Sequence, residues 1–339
     1  MNVFIIGGTG FISGRLTQIL LDEGHHVTIF TRGRQSASFE DADRLGHVHG
    51  DRTSLASLRS ALDGRVFDAA YDMIAYDGDD SRVAVEALQG HVGRFIHCST
   101  ISVYMISDEV RCPITEDQHN LPAMGHWPRN PFGMDYGINK RACENVLWEA
   151  HGVDFPVTVL RPTFVSGPED PTARDYFWIE RILDGRPLLV PGSGDHAFQQ
   201  IYIDDAARAF ADVLKFEATR GEAYNVVGDD IYSLNEYLQR LAAVLACSIE
   251  VVNVPQYLFD RLPISTNPAG DVFPFNTRRT TVFSLEKIKR DIAYRSTPFE
   301  DWMRKTVEWY RDEYEGGSFG YGRRTEELDV IQKLRTKPG

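Results

Sequence analysis

The 339-residue sequence predicts an α/β protein: a doubly wound parallel sheet with a smaller, mainly C-terminal second domain. The chain opens on a short apolar strand, a glycine turn and a helix. Short apolar segments then alternate with amphipathic helical segments, and this alternation becomes irregular in the last third of the chain. Strands that alternate with helices at such spacing form right-handed βαβ units, which place their strands parallel in one sheet.

The opening element is the apolar run Val3–Ile6, which is too short for a helix and typical of a buried parallel strand. A glycine turn follows and leads into a helix. In this order Gly7 permits the tight turn, Gly10 lets the backbone approach a pyrophosphate, and the helix N-terminus offers N–H groups. Ser13 stands where the motif's third glycine is usual, and it is small enough for close helix–strand contact. The sequence therefore predicts a Rossmann-like dinucleotide site here.

The other elements follow in chain order. Strands are predicted at residues 25–30, around 48, and at 68–75, 94–100, 157–161, 198–203 and 223–227. Helices are predicted at residues 54–62, 81–88, 136–150, 176–183, 206–216, 233–246 and 299–310, and Ser233 with Glu236 fits a capping box.

These elements predict two domains and a tail. Residues 1–166 plus about 197–228 are assigned to a dinucleotide-binding domain, and about 167–196 plus 229–314 to a substrate-binding domain. Residues 315–339 are charged and are expected to form a loosely ordered tail.

Composition argues against several classes of function. The formal net charge of −13 repels nucleic acid and anionic membranes. No apolar run approaches the roughly 20 residues that a membrane span needs, and no basic flank precedes the first strand as in a signal peptide. The four cysteines lie far apart without metal-binding spacing, so reduced thiols and no metal site are expected. The sequence therefore predicts a cytoplasmic protein.

The end of the second strand bears on the choice between NAD and NADP. An acidic residue there grips the ribose 2′-hydroxyl of NAD, whereas arginine accommodates the 2′-phosphate of NADP. This chain has Thr31, Arg32 and Arg34, which favours NADP and leaves NAD open.

A tyrosine–lysine pair is the candidate catalytic group. Tyr136 and Lys140 are four residues apart on one face of a helix, a spacing also common where an aromatic packs beside a surface lysine. A lysine beside a phenol, with a nicotinamide's positive charge nearby, lowers the pKa of the tyrosine from about 10. Tyr136 then accepts a proton from a hydroxyl that loses hydride, or donates one to a carbonyl. Ser99 and Thr100 end the strand one βα unit earlier, where parallel sheets bind ligands.

From residue 1 to about 312 the chain resembles the extended short-chain dehydrogenase/reductases, and within them the NAD-dependent epimerase/dehydratase family that acts on nucleotide sugars. The motifs that carry this resemblance are Gly7-Gly-Thr-Gly-Phe-Ile, Asp51, Ser99–Tyr104, Tyr136-x-x-x-Lys140, Arg161–Pro168 and Tyr202–Asp205. The opening and the Thr-Arg-Gly after the second strand also resemble an atypical branch that includes chloroplast stem-loop-binding proteins, some of which bind RNA.

The resemblance implies roles for individual residues. Tyr136 is implied as the general acid/base, Lys140 as the group that holds the nicotinamide ribose, and Thr100 as the catalytic hydroxyl, with Ser102 and Ser99 able to share its task. The implied cofactor contacts are Gly7, Thr9, Gly10, Phe11 and Ile12 at the pyrophosphate, Thr31, Arg32, Arg34 and Ser36 at the adenosine ribose, Asp51 and Arg52 at the adenine, and Met73, Ile74, Ala75, Ser99 and Thr163 near the nicotinamide. A homodimer is also implied, since extended members commonly dimerise through two helices.

Departures from the family pattern bear on the reaction. The 4,6-dehydratases place Asp and Glu directly after the catalytic threonine, but this chain has Ile101 and Ser102, which disfavours dehydration. Nucleotide-sugar epimerases usually place an arginine before the Tyr-Ile-x-x-Asp segment to hold a diphosphate, whereas residues 198–200 are Phe-Gln-Gln. Arg174, Arg181, Arg278 or Arg279 could take the place of that arginine, with Arg174 and Arg278 as the candidate substrate contacts. Ser102 and Tyr76 are further candidate substrate contacts.

The sequence thus predicts an NAD(P)-dependent epimerase or oxidoreductase that acts on a secondary alcohol of a sugar or nucleotide sugar. The alternative is a non-catalytic or RNA-binding member of the atypical branch. The intact tyrosine–lysine pair and the acidic charge both argue against that alternative. The exact substrate and the choice between epimerase and reductase stay open.

Overall fold

A computed structural model describes residues 1–34, 39–40, 42–125, 133–259, 261, 266–267, 270–271, 273–316 and 320–336. In chain order the strands are β1 Asn2–Ile6, β2 His26–Thr31, β3 Leu45–His49, β4 Ala69–Asp72, β5 Phe95–Cys98, β6 Val157–Pro162, β7 Phe164–Ser166, β8 Leu188–Pro191, β9 Ala197–Phe198, β10 Gln200–Tyr202, β11 Ala223–Val226, β12 Tyr232–Ser233, β13 Val251–Val254, β14 Thr266–Asn267 and β15 Gly270–Asp271. The α-helices are α1 Phe11–Asp22, α2 Leu55–Leu62, α3 Gly78–Leu88, α4 Ser102–Met105, α5 Met134–Ala150, α6 Arg174–Leu183, α7 Ile203–Asp212, α8 Leu234–Leu245, α9 Gln256–Phe259, α10 Glu286–Ile292, α11 Phe299–Asp312 and α12 Arg324–Thr336.

The chain divides into two compact units. The first contains Met1–Thr163, Ile203–Val227 and Ser284–Arg295, and the second contains Phe164–Tyr202, Gly228–Phe283 and Ser296–Gly339. Residues 197–202 therefore lie in the second unit, although the sequence analysis assigned them to the dinucleotide-binding domain. Residues 284–295 lie in the first unit, although they were assigned to the substrate-binding domain. Pairing explains both differences, because β9 and β10 pair with β12 and β7, whereas α10 packs against β11.

Seven parallel strands of the described chain form the sheet of the first unit, in the order β11-β6-β5-β4-β1-β2-β3. This confirms the predicted doubly wound parallel sheet. The strand order reverses beside β1, which pairs with β2 on one side and β4 on the other. Open sheets of this kind bind ligands at such a reversal, outside the carboxyl ends of the strands.

Two groups of helices pack in the first unit, α1 with α7, and α3 with both α2 and α5. Because strand side chains alternate between faces, Phe4 and Ile6 share one face of β1. They belong to a buried cluster with Phe30, Phe95 and Leu147, and the last of these lies on α5. Each such side chain contributes roughly 1.5–3 kcal/mol when fully buried. The packing fixes α5 over the middle of the sheet.

The second unit combines short strand pairs with helices. Strand β7 pairs with β10 and β8 with β13 in parallel, while β9 pairs with β12 in antiparallel. The predicted capping box is confirmed, because the Ser233 hydroxyl accepts from the Glu236 N–H at 3.2 Å and the Glu236 carboxylate accepts from the Ser233 N–H at 2.7 Å. Phe198 stacks on Phe275 with ring centroids 5.2 Å apart.

The prediction of a loosely ordered tail is wrong for residues 324–336, which form helix α12. Its Glu327 carboxylate is buried and pairs with the buried guanidinium of Arg181 on α6. Arg324 on the same helix pairs with Asp184 at 2.7 Å. Ile331, four residues after Glu327, is also buried. These ion pairs join residues about 140 positions apart, which is why local composition does not reveal them.

Among the residues that the structure describes, no helix combines the length and the apolar character needed to cross a membrane.

Candidate active site

The turn between β1 and α1 is built from glycines in a conformation that other residues rarely adopt. Gly7 and Gly8 have φ angles of 106° and 108°. A Cβ on Gly8 would lie 2.4 Å from Cγ2 of Ile29, so a side chain cannot fit there. Gly10 is the residue before α1, and its N–H donates to the Ser13 hydroxyl at 3.0 Å. Ser13 therefore helps to organise the helix N-terminus.

A cleft of 420 Å³ opens above this turn, within the first unit. It is lined by Gly7, Thr9, Gly10, Ser13, Phe30, Thr31, Arg32, Arg34, Gly50, Asp51, Arg52, Thr53, Ile74, Tyr76 and Asp80. Its size is within the range of small-molecule and cofactor sites, about 300–1,000 Å³. The lining includes nine of the residues that the sequence assigned to a cofactor, together with Tyr76, which was assigned to the substrate. Ser36 lies outside the described residues.

Asp51 lines the cleft together with Arg32 and Arg34. The carboxylate of Asp51 accepts from the Thr53 N–H at 3.0 Å and from the Thr53 hydroxyl at 2.9 Å. These bonds, with the nearby charges of Arg32 and Arg34, lower the pKa of Asp51. The hydroxyl of Thr31 also has hydrogen-bond partners within the protein. It accepts from the Gly33 N–H at 3.1 Å and is hydrogen-bonded with His47 at 2.7 Å.

Arg52, the predicted adenine contact, lines the cleft and also joins two elements of the first unit. Its guanidinium is buried and pairs with the carboxylates of Asp72 at 3.0 Å and Asp80 at 3.1 Å. It also donates to the backbone carbonyl of Asp80 at 2.7 Å. Burial raises the pKa of Asp72, and the charge of Arg52 acts against that rise. Arg52 therefore ties the end of β4 to the start of α3.

Tyr136 and Thr100 are neighbours in the structure. Tyr136 lies in the first turns of α5 with 41% of its surface exposed, and the Thr100 hydroxyl is near enough to its phenol to act against the rise of its pKa. Thr100 donates to the Ser102 hydroxyl at 3.2 Å and accepts from the Ser102 N–H at 3.2 Å. The hydroxyls of Thr100 and Ser102 are thus linked beyond the carboxyl end of β5, near the Tyr136 phenol, where a substrate oxygen can be held.

Lys140 contacts backbone carbonyls. Its ammonium is buried, donating to the carbonyl of Ala75 at 2.9 Å and to the carbonyl of Cys98. Burial, followed by the neighbouring Cys98 and Tyr76, raises the pKa of Tyr136 above its ordinary value, against the opposing effect of the Thr100 hydroxyl. The lowering of this pKa by a nicotinamide's positive charge stays a prediction.

The side chain of Ser99 is buried, and its hydroxyl donates to the carboxylate of Glu144. Glu144 is a residue that sequence reasoning missed. A signal was present, because it follows Tyr136 by eight positions and Lys140 by four, and therefore lies on the same helix face.

The other predicted cofactor residues lie near the glycine turn between β1 and α1 or follow the ends of β4 and β6. Phe11 and Ile12 are the first residues of α1. A Cβ on Gly7 would lie 3.3 Å from Ile74 and 3.5 Å from Met73, so these two residues pack against the glycine turn. Ala75 is buried, and the buried Thr163 donates its N–H to the carbonyl of Val226 at 3.2 Å.

The predicted substrate arginines lie in the second unit. Arg174 pairs with Asp170 at 4.0 Å and lies 5.4 Å from the ring centroid of Phe164, and Arg278 is half-buried. Gln200, which stands in the family's arginine region, is buried and donates to the Ser166 hydroxyl at 2.7 Å and to Asp175 at 3.1 Å. Gln200 therefore forms buried hydrogen bonds within the second unit.

The sequence profile described as the NAD dependent epimerase/dehydratase family matches residues 3–227, well over half of the chain. The chain belongs to this family. It is 31% identical over 239 residues to the chloroplast stem-loop binding protein of 41 kDa b of Arabidopsis thaliana, which covers 67% of this chain. The chain spans 59% of that relative's length.

Other similarities extend over nearly the whole chain. A UDP-N-acetyl-alpha-D-glucosaminuronate decarboxylase of Bacillus cytotoxicus is 24% identical over 333 residues, covering 91% of this chain and 97% of that protein. The crystal structure of UDP-glucuronic acid 4-epimerase from Bacillus cereus with NAD superposes with a TM-score of 0.70 at 20% identity, covering 94% of this chain and all of that one. This structural likeness shows a shared fold.

Proposed function

We propose that the protein is an NAD(P)-dependent epimerase or reductase that acts on a secondary alcohol of a sugar or nucleotide sugar. The observation that carries the proposal is the proximity of the Tyr136 phenol to the Thr100 hydroxyl, in the same unit as the glycine-lined cleft. Family membership supports it, because the family description is that of NAD-dependent enzymes.

The glycine turn fits the dinucleotide that the family implies. Gly8 leaves no room for a side chain, and α1 directs its first N–H groups to the cleft, as a pyrophosphate site requires. Gly7, Thr9 and Gly10 would hold the pyrophosphate, and Arg32 with Arg34 would hold a ribose 2′-phosphate. Thr31 in place of an acidic residue supports NADP over NAD. When bound, the nicotinamide supplies the hydride carrier.

The side chains of the protein supply the proton chemistry in this proposal. Thr100 hydrogen-bonds the reacting oxygen, and Tyr136 exchanges a proton with it. Because burial keeps the pKa of Tyr136 high, the phenol is neutral near pH 7 and is suited to donate to a carbonyl oxygen. Lys140, one helical turn beyond Tyr136, is held by the two carbonyls that follow β4 and end β5.

The reaction is proposed to leave the substrate's hydroxyl groups in place. Ile101 and Ser102 provide neither the acid nor the base that a 4,6-dehydratase needs, so oxidation, reduction or epimerisation is preferred. Ser102 and Tyr76 are the proposed contacts to the sugar near Tyr136. Because Gln199 and Gln200 are buried, an anionic substrate group would depend on Arg174 or Arg278.

The experiment begins with mass spectrometry of small molecules released from the purified protein. We expect NADP(H) or NAD(H). Turnover is then followed with a panel of sugars and nucleotide sugars for the native enzyme and for Tyr136→Phe, whose rate should fall by about 10²–10⁴-fold. Retention of more than a tenth of the activity overturns the assignment of Tyr136.

An RNA-binding role is the rival outcome. Salt-sensitive binding of a stem-loop RNA in a gel shift, with no cofactor-dependent turnover of any sugar, would replace the enzymatic proposal. The net charge of −13 argues against RNA binding.

A homodimer is proposed on family resemblance, and a monomer mass by light scattering would contradict it.

A further inference from the structure

We propose that Glu144 is a positioning residue that, through Ser99 and Arg161, clamps helix α5 to the ends of β5 and β6 and so sets the Tyr136–Thr100 contact. This inference rests on the proposed function, in which those two hydroxyls hold the reacting oxygen. It assigns a role to a buried side chain that touches neither hydroxyl.

The clamp begins with helical spacing. Tyr136, Lys140 and Glu144 occupy successive turns of α5 on one face, because residues four apart in a helix lie nearly above one another. Lys140 and Glu144 are both buried, whereas Tyr136 is 41% exposed. The two inner turns are therefore attached to the sheet, and the outer turn carries the phenol.

Glu144 makes its attachment with both carboxylate oxygens. Oε1 accepts from the Ser99 hydroxyl and from Nε of Arg161 at 2.9 Å, and Oε2 accepts from Nη2 of Arg161 at 2.6 Å. Ser99 directly precedes Thr100 in the chain. One carboxylate thus connects the helix of Tyr136 to the residue adjoining Thr100.

Arg161 is itself fixed from behind. Its Nη1 donates to the Tyr104 phenol at 2.6 Å and to the Glu116 carbonyl at 2.9 Å. The Tyr104 hydroxyl donates in turn to Oδ1 of Asn225 at 2.7 Å, and Asn225 donates its N–H to the Glu116 carboxylate at 2.9 Å. The guanidinium therefore cannot rotate without breaking several buried hydrogen bonds.

The buried Arg161–Glu144 pair contributes more to the positions of its neighbours than to the free energy of unfolding. Both partners of the Arg161–Glu144 pair are fully buried. Desolvation of such a pair offsets most of its Coulombic gain, so replacement by apolar residues is often neutral for stability. A fully satisfied buried network instead holds its members in one arrangement. Because a displacement of about 1 Å can lower a rate 100-fold, fixing α5 has a direct consequence for catalysis.

The test compares two variants that each remove one buried hydroxyl from the first unit. Ser99→Ala deletes the bond to Glu144. Thr158→Val deletes the bond from the Thr158 hydroxyl to the Thr219 carbonyl, 2.7 Å long, at the start of β6 and away from α5. A third variant, Glu144→Gln, keeps the shape of the side chain and removes its charge.

Two measurements are made on each protein, steady-state kinetics and hydrogen–deuterium exchange of the peptide that covers residues 134–150. We expect Ser99→Ala to lower kcat at least 10-fold with the cofactor KM changed less than twofold, and to speed exchange in that peptide. Thr158→Val should leave kcat within twofold and the exchange of that peptide unchanged. Glu144→Gln should exceed Ser99→Ala in both effects.

Equal changes in Ser99→Ala and Thr158→Val overturn the clamp, as does a loss of kcat without faster exchange in α5. The outcomes separate this inference from the proposed function. If the native enzyme binds cofactor but turns over no sugar, the proposed function fails, and faster exchange confined to Ser99→Ala and Glu144→Gln still supports the clamp on α5. If Glu144→Gln does not fold, Ser99→Ala decides.

Discussion

The ammonium of Lys140 lies 2.9 Å from the carbonyl oxygen of Ala75, and it also donates to the carbonyl of Cys98. One buried cation thus bridges the chain where it leaves β4 and where it leaves β5. In this position Lys140 holds the helix of Tyr136 to the sheet, in addition to any contact with a cofactor.

Replacement of Lys140 should therefore reduce stability as well as activity. In Lys140→Met the two buried carbonyls lose a charged donor, and leaving a buried acceptor unsatisfied costs roughly 1–3 kcal/mol. Urea unfolding is expected to show a lower free energy of unfolding of that size. Lys333→Met on the exposed face of α12 is the control and should change little. Equal midpoints for Lys140→Met and native protein would contradict the bridge.

The glycine turn makes a paired prediction about cofactor binding. In Gly8→Ala the new methyl group meets Ile29 at 2.4 Å in a conformation with φ of 108°, so cofactor affinity and stability should both fall sharply. In Gly14→Ala the nearest atoms are 3.8 Å away, and alanine in a helix is favoured by roughly 0.5–1 kcal/mol. Fluorescence titration with NADPH checks the pair. Similar losses in both variants would show that the cleft does not depend on the Gly8 backbone.

The local features of the fold were predictable because they depend on neighbours in sequence. The apolar strands, the glycine turn and the capping box of Ser233 and Glu236 each occupy a few consecutive residues. The position of Thr100 at the carboxyl end of a parallel strand, near Tyr136, follows from the rule about where such sheets bind ligands. These features sufficed for the fold class and for the position of the cleft.

The charged partners were not predictable, because they come from distant segments. Arg52 pairs with carboxylates 20 and 28 positions away. The hydroxyl of Ser99 is bonded to Glu144, 45 positions later. The composition of a segment does not show which buried charge in another segment it pairs with. For the same reason the prediction of a loosely ordered C-terminal tail was wrong, since Glu327 of α12 pairs with the distant Arg181.

The choice of cofactor makes a prediction for Arg32. If this guanidinium binds a 2′-phosphate, Arg32→Ala should weaken NADPH binding about 10-fold or more and leave NADH binding nearly unchanged, because hydrogen bonds to charged groups contribute roughly 1.5–3 kcal/mol. Titration with each cofactor at fixed ionic strength measures the ratio. Arg59→Ala, on the exposed side of α2, is the control. An equal loss for both cofactors would count against NADP selectivity.

Helix α12 makes a prediction about stability. Glu327→Ala leaves the buried guanidinium of Arg181 without its carboxylate, and breaking a buried pair from one side costs roughly 3–5 kcal/mol. Glu326→Ala changes the adjacent, exposed side chain of the same helix and should alter the free energy of unfolding by less than about 0.5 kcal/mol. Thermal and urea unfolding compare the two. Matching values would mean that α12 does not dock through Arg181.

Asp175 makes a prediction about pH. Its buried carboxylate accepts from the Tyr237 hydroxyl at 2.7 Å and from Gln200 at 3.1 Å, and burial raises its pKa from 3.8 to about 6. Folding therefore favours the protonated form. The stability that this group contributes is fully present below about pH 3.8 and is lost as the pH rises through about 6.

Asp175→Asn stays neutral throughout and should remove this dependence. The free energy of unfolding of the native protein should fall relative to the variant by about 2 kcal/mol between pH 4 and pH 7, since each unit of pKa shift corresponds to about 1.4 kcal/mol. Urea unfolding at several pH values measures the difference. Asp79→Asn, exposed on α3, controls for the loss of one negative charge. Parallel curves for native protein and Asp175→Asn would mean that this carboxyl titrates alike in the folded and unfolded states.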